Sequence, residues 1–232
     1  MSAKTSATKP SKTSAKKKST TTKAAAEANP GRATKTATKS KANTKQTGPD
    51  PMEVIRPLLK VRQAREFTSR KVSKAEIQAI TEVARWSGSS RNEQPCRFIA
   101  IRSRDLIRQI ADIGLPQTRG LPTATAAVAI IVPEEPEREL SRAFDDGRAA
   151  ERMLIAAHML GLGGGVSRVR ADVRAGINKA LKLPANRSVR TIVGIGHPTE
   201  DALQPKARPG QARLPREEVV YDECWPEPPV VE

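Results

Sequence analysis

Residues 124–132 read ATAAVAIIV, an apolar run closed by Pro133. The run is far too short to cross a bilayer. It also lacks the polar alternation of a strand with one wet face. It therefore suits a central strand buried on both faces, which demands a covering layer on each side. Residues 188–196 (SVRTIVGIG) read as a second buried strand, and residues 97–102 (RFIAIR) as a third.

The helical periodicities lie around these strands. Ile77, Ile80, Val83 and Ala84 recur at helical spacing within residues 74–86, and residues 105–113 predict another helix. The longest helix is expected over 141–160, where Ala150, Met153, Leu154, Ala157 and Leu160 form a broad stripe ended by Gly161. A further helix over 171–183 closes at Pro184, and residues 218–221 read as a short terminal strand. The pattern is α+β: a small sheet wrapped by helices.

Ahead of this region the composition changes at Gly48-Pro49-Asp50-Pro51. Residues 1–50 hold twelve Lys and Arg against Glu27 and Asp50, and apart from Met1 no large apolar side chain. A segment with nothing to bury cannot offset roughly 1–2 kcal/mol of ordering entropy per residue, so a disordered tail is expected. Its charge, the main source of the net +16, suits non-specific contact with nucleic acid; a solubilising extension is the plainer reading. The expected domains are a basic tail over 1–51, a folded domain over 52–222 and a Pro-rich end over 223–232.

Two cysteines, Cys96 and Cys224, are too few for a disulfide framework and fit a reducing compartment. With no apolar run of transmembrane length and no signal-peptide core, a cytoplasmic protein without membrane contact is expected.

Familiar motifs are scarce. Gly161-Leu-Gly163-Gly164-Gly165 follows a helix instead of a strand, so it reads as a helix cap and turn, not a dinucleotide loop. No metal-ligand spacing or nucleophile–base pattern stands out, and His158 and His197 read as structural. Three polar islands remain: residues 60–67 (KVRQAREF), residues 87–95 (SGSSRNEQP) and the basic turn 208–215.

The order of these islands resembles the nitroreductase family. Residues 61–67 are similar to its Arg-Arg-Ser-x-Arg-x-Phe segment, and residues 89–96 (Ser-Ser-Arg-Asn-Glu-Gln-Pro-Cys) to its Ser-Ser-x-Asn-x-Gln-Pro-Trp loop. Residues 146–163 resemble its long helix, Gly196-His197-Pro198 a strand end, and Arg213-Leu-Pro215 followed by Val219-Val220 its late Arg-x-Pro element. Val61, Gln63, Gly88 and Cys96 stand where that pattern has Arg, Ser, Pro and Trp.

The resemblance implies a nitroreductase-like α+β fold: a central mixed or antiparallel sheet wrapped by helices, in an intertwined homodimer with FMN at the interface. It implies that Arg62, Gln63, Arg65 and Arg213 hold the flavin phosphate. Ser89, Ser90 and Asn92 would reach the flavin of the other subunit, and Gly164 would bring backbone near the ring. The implied activity is electron transfer from NAD(P)H to nitroaromatic or quinone-like small molecules, with no dedicated catalytic side chain and no metal. The alternative is a degenerate flavin-fold dimer that presents two basic tails to nucleic acid.

Overall fold

Side-chain alternation along one strand sets the layers. In the computed structural model, which describes residues 48–204 and 213–225, strand β2 spans Ala126–Pro133. It sends Ala127, Ala129 and Ile131 into one apolar cluster and Ala126, Val128 and Ile130 into another. Its partners are β1 (Arg97–Ile101) and β4 (Arg187–Gly196), and β4 also pairs with β3 (Gly163–Arg168). The order is β1-β2-β4-β3, and every neighbouring pair is antiparallel.

Helices cover both faces. On one side α2 (Lys74–Arg85) packs against α4 (Glu139–Met159), and on the other α3 (Arg104–Ile113) packs against α5 (Ala171–Ala180). Helix α2 starts in a capping box: the Ser73 hydroxyl accepts the Glu76 N–H at 3.1 Å, and the Glu76 carboxylate accepts the Ser73 N–H at 2.6 Å. It buries Ile77, Ile80 and Ala84. Each such isoleucine stabilises the fold by about 1.5–3 kcal/mol, so Ile80→Ala would open a damaging cavity. Helix α4 ends in a Schellman turn, with Gly161 at φ +69° and Leu162 N–H bonded to the Ala157 carbonyl at 2.8 Å.

A β-bulge shapes the face beneath α4. Ile130 pairs with Thr191 but Ile131 pairs with Val189, leaving Arg190 as the extra residue. Both Arg190 and Thr191 therefore turn toward α4. Arg190 donates to Glu139 at 3.0 Å, and Thr191 donates to Asp146 at 2.7 Å.

Two sequence expectations are corrected. Gly163–Gly165 form the edge strand β3, not a turn. Their lack of side chains lets residues 62–65 lie flat along that edge: a Cβ on Gly165 would sit 2.3 Å from the Ala64 carbonyl oxygen. The terminal strand expected over 218–221 is a 3-10 turn, Arg216–Glu218. Val219 and Val220 are exposed and pair with no described strand.

The first helix, α1 (Pro51–Leu59), is capped by Asp50, whose carboxylate accepts the Met52 N–H at 3.1 Å. None of its residues is buried. The chain divides into Met1–Thr47 and Gly48–Glu232. The expectation of a disordered tail concerns mainly the first unit, which lies outside the described residues, as do residues 208–212 of the basic turn.

Candidate functional site: an arginine-lined cavity and a polar loop

Two anchors define the segment after α1. Ala64 and Phe67 are buried, while Arg62, Gln63 and Arg65 face outward. The Ala64 N–H donates to the Gly164 carbonyl at 2.9 Å, and the Gln63 side-chain oxygen accepts the Val166 N–H at 3.2 Å. These bonds fix the segment against β3. Further on, Thr68 N–H bonds the His197 carbonyl at 2.8 Å, so the Gly-His-Pro strand end serves through its backbone.

Arg62, Gln63, Arg65 and Arg213 line one cavity of about 390 Å³ with Glu151 and Leu154. Residues 150 positions apart in sequence are thus gathered at one place. The Gln63 oxygen also accepts a bond from the Arg65 guanidinium at 3.2 Å, which aims that fork. Three guanidinium groups against one carboxylate give the cavity a chemistry suited to a multiply charged anion. Gly164 is not among its lining residues, but its carbonyl is bonded to the segment that carries these side chains.

The polar loop lies elsewhere in the chain. Ser89 lines a separate cavity of about 570 Å³ with Ser87, Gln94, Cys96 and Asp145. Ser90 and Asn92 are exposed on the same loop. Arg91, Asn92 and Gln94 all adopt left-handed backbone, at φ +50°, +56° and +49°. Within one chain, then, Arg62, Gln63, Arg65 and Arg213 come together and the Ser-Ser-Arg-Asn residues do not join them.

Sequence reasoning missed a buried charged row on α4. Arg142, Asp145 and Asp146 are 3%, 2% and 6% exposed. They extend the helix's apolar stripe backward at helical spacing, a signal the sequence carried. Arg142 is paired with Glu93 at 3.0 Å and with Glu135. Burial pushes the Asp146 carboxyl up to about 6, against the pull of its Thr191 hydrogen bond. Burial, then Asp146 and Asp145, push the Cys96 thiol up to about 12. Among the described residues no helix is long and apolar enough to cross a membrane, and no group of three or more His, Cys, Asp or Glu could hold a metal.

Known proteins resemble the chain in sequence and fold. The model of the Nitroreductase family matches residues 60–129, the stretch from the arginine segment through the polar loop into β2. The chain has the nitroreductase fold. The same fold occurs in a "putative nitroreductase in complex with fmn" from Desulfovibrio desulfuricans, with TM-score 0.63 and 27% identity over 77% of this chain and 100% of that one. It also occurs in the NADPH:FMN oxidoreductase of Vibrio harveyi complexed with NAD+, at TM-score 0.63, 22% identity and 75% and 78% coverage. By sequence, the "Putative NADH dehydrogenase/NAD(P)H nitroreductase" of Archaeoglobus fulgidus is 28% identical over 64% of this chain and 87% of its own length. Its counterpart of the same name in Methanothermobacter thermautotrophicus is 29% identical over 65% and 80%.

Proposed function

We propose that the protein is an FMN-dependent oxidoreductase that takes electrons from NAD(P)H, passes them to nitroaromatic or quinone-like acceptors, and works as a homodimer. The observation that carries this reading is the cavity shared by Arg62, Gln63, Arg65 and Arg213. Its donor set fits the flavin phosphate, an anion of about −1.5 to −2 charges. Arg62, Arg65 and Arg213 bind that charge, and Gln63 fixes the Arg65 fork. Gly164 would contribute backbone near the ring; its missing side chain makes room for Leu154 of α4, which lines the cavity. When bound, the flavin supplies two-electron redox chemistry that this chain's side chains lack. The names of the Archaeoglobus relative and the Vibrio harveyi protein support NAD(P)H as the donor.

The homodimer is supported by apolar side chains left exposed on two helices. Met52, Ile55 and Leu59 of α1 are 45–65% exposed, and Leu140, Phe144 and Met159 of α4 are 67–85% exposed. Faces of this kind mark interaction surfaces. In the dimer, Ser89, Ser90 and Asn92 complete the cavity of the other protomer.

Fluorescence titration of flavin-free protein with FMN and with riboflavin tests the reading. FMN should bind at least about tenfold more tightly, the worth of one charge-assisted contact. No uptake of FMN, or equal affinity for both flavins, would overturn it.

A second reading draws on the twelve cations of residues 1–50: the flavin-fold dimer serves as a scaffold whose tails bind nucleic acid without base specificity. Neutralising about six phosphates would give a log K against log[salt] slope near −5 on duplex DNA. A flat salt dependence removes this reading.

A further inference from the structure

The loop between α2 and β1 holds an unfavourable backbone. Three non-glycine residues within four positions, Arg91, Asn92 and Gln94, sit in the left-handed region that L side chains rarely adopt. Such a shape persists when surrounding groups over-determine it.

The holding groups are specific. From Ser90 to Gln94, four of five backbone N–H groups are bonded. Ser90 N–H donates to the Asp145 carboxylate at 3.3 Å, Asn92 to the Ser89 carbonyl at 3.1 Å, Glu93 to the Ser90 carbonyl at 3.0 Å and Gln94 to the Ser89 hydroxyl at 2.8 Å. Glu93 is tied in turn to Arg142 at 3.0 Å and to Arg138. Those arginines hold its carboxyl below the ordinary value, Arg138 most strongly, so it stays charged at neutral pH. Arg142 itself is pinned by Glu135. Arg142 and Asp145 lie three residues apart on α4, on one face, and grip the loop at Glu93 and Ser90.

We propose that Arg142 and Asp145 are positioning residues, which lock the Ser89–Gln94 loop into its left-handed shape before any flavin arrives. The proposal rests on the flavin reading in one respect: it takes Ser89, Ser90 and Asn92 as the loop's binding groups. A pre-set loop loses less freedom on binding, so its hydrogen bonds convert more fully into affinity. Because the grip comes from α4, the helix that also carries exposed Phe144, it links the loop's shape to the dimer face.

Arg142 is too deeply buried for a clean variant, since its loss strands two carboxylates. The test therefore uses full-length Glu93→Gln and Asp145→Asn, which keep shape and remove charge. Amide hydrogen exchange is followed by mass spectrometry in flavin-free protein, beside FMN titration. Each variant should exchange the Ser90–Gln94 amides at least about tenfold faster and weaken FMN about tenfold, with exchange in α2 and α3 unchanged. Arg91→Gly added to Glu93→Gln should restore both readouts toward wild type, because glycine accepts φ +50° freely. Unchanged loop exchange in both single variants, or no rescue by Arg91→Gly, would overturn the proposal. If wild-type protein takes up no FMN, the functional reading falls, and the exchange measurements still decide whether the clamp exists.

Discussion

The Thr191 hydroxyl donates to Asp146 Oδ2 at 2.7 Å, and the other oxygen of that carboxylate is buried with no hydrogen-bond partner among the described residues. The β4 bulge supplies the first bond; nothing supplies the second. A half-satisfied buried carboxylate is costly when charged.

Asp146→Asn should therefore stabilise the protein at neutral pH. The group's value is about 6 folded against 3.8 unfolded. Above pH 6 it is charged in both states, and the burial cost is fully present. As pH falls from 6 to 3.8 the folded state takes up the proton first, so the cost disappears. Thermal melts should show the variant ahead by ~1–3 kcal/mol at pH 8, with the advantage gone near pH 4. A variant less stable at pH 8 would contradict this account.

Cys96 and Cys224 should label very differently. Cys224 is exposed, whereas Cys96 is half-buried with its thiol pushed up to about 12. Iodoacetamide at pH 8 should modify the Cys224 peptide while sparing Cys96 in folded protein, because the thiolate is the nucleophile. Peptide mass spectrometry reads the result, and prompt alkylation at Cys96 would refute it.

Glu151 faces the same cavity as three arginines. If that cavity takes a phosphate, Glu151 opposes it. Glu151→Gln should tighten FMN binding by about three- to tenfold, with little effect on riboflavin, whose ribityl end is uncharged. An equal gain for both flavins would point to packing in place of charge.

Gly165→Ala should damage both fold and site. A methyl group 2.3 Å from the Ala64 carbonyl must push residues 62–65 off β3. The expected cost is ~1–3 kcal/mol in denaturant titration, with FMN affinity falling more than that loss of stability explains. A variant of wild-type stability would show that the edge can yield.

These tests probe regions that differed in how plainly the sequence announced them. The apolar run before Pro133 revealed β2, because a strand with both faces buried has no polar alternation to confuse it. The α2 and α4 stripes were legible through their apolar period of about 3.6 residues. Residues 163–165 were not: a strand of glycines has no side-chain period, and only its pairing with β4 and the close approach of residues 62–65 on its other edge reveal it. Arg62, Gln63, Arg65 and Arg213 were grouped only by the family resemblance, and the structure brings them to one cavity, while their role stays a proposal. Arg142 and Asp145 were missed because charged side chains at apolar positions read as interruptions of a stripe.

Nine residues of α1 stand outside the core, with Pro57 removing one internal hydrogen bond. An isolated helix of that length is marginal in water. Its order must then be borrowed from whatever covers Met52, Ile55 and Leu59, and Arg62 and Arg65 follow directly from its end. If a second copy of the chain covers those apolar side chains, as in the proposed dimer, dilution would fray α1. Arg62 and Arg65 would then be held only through the Ala64 and Gln63 bonds to β3, so that anion affinity would follow the protein's own concentration.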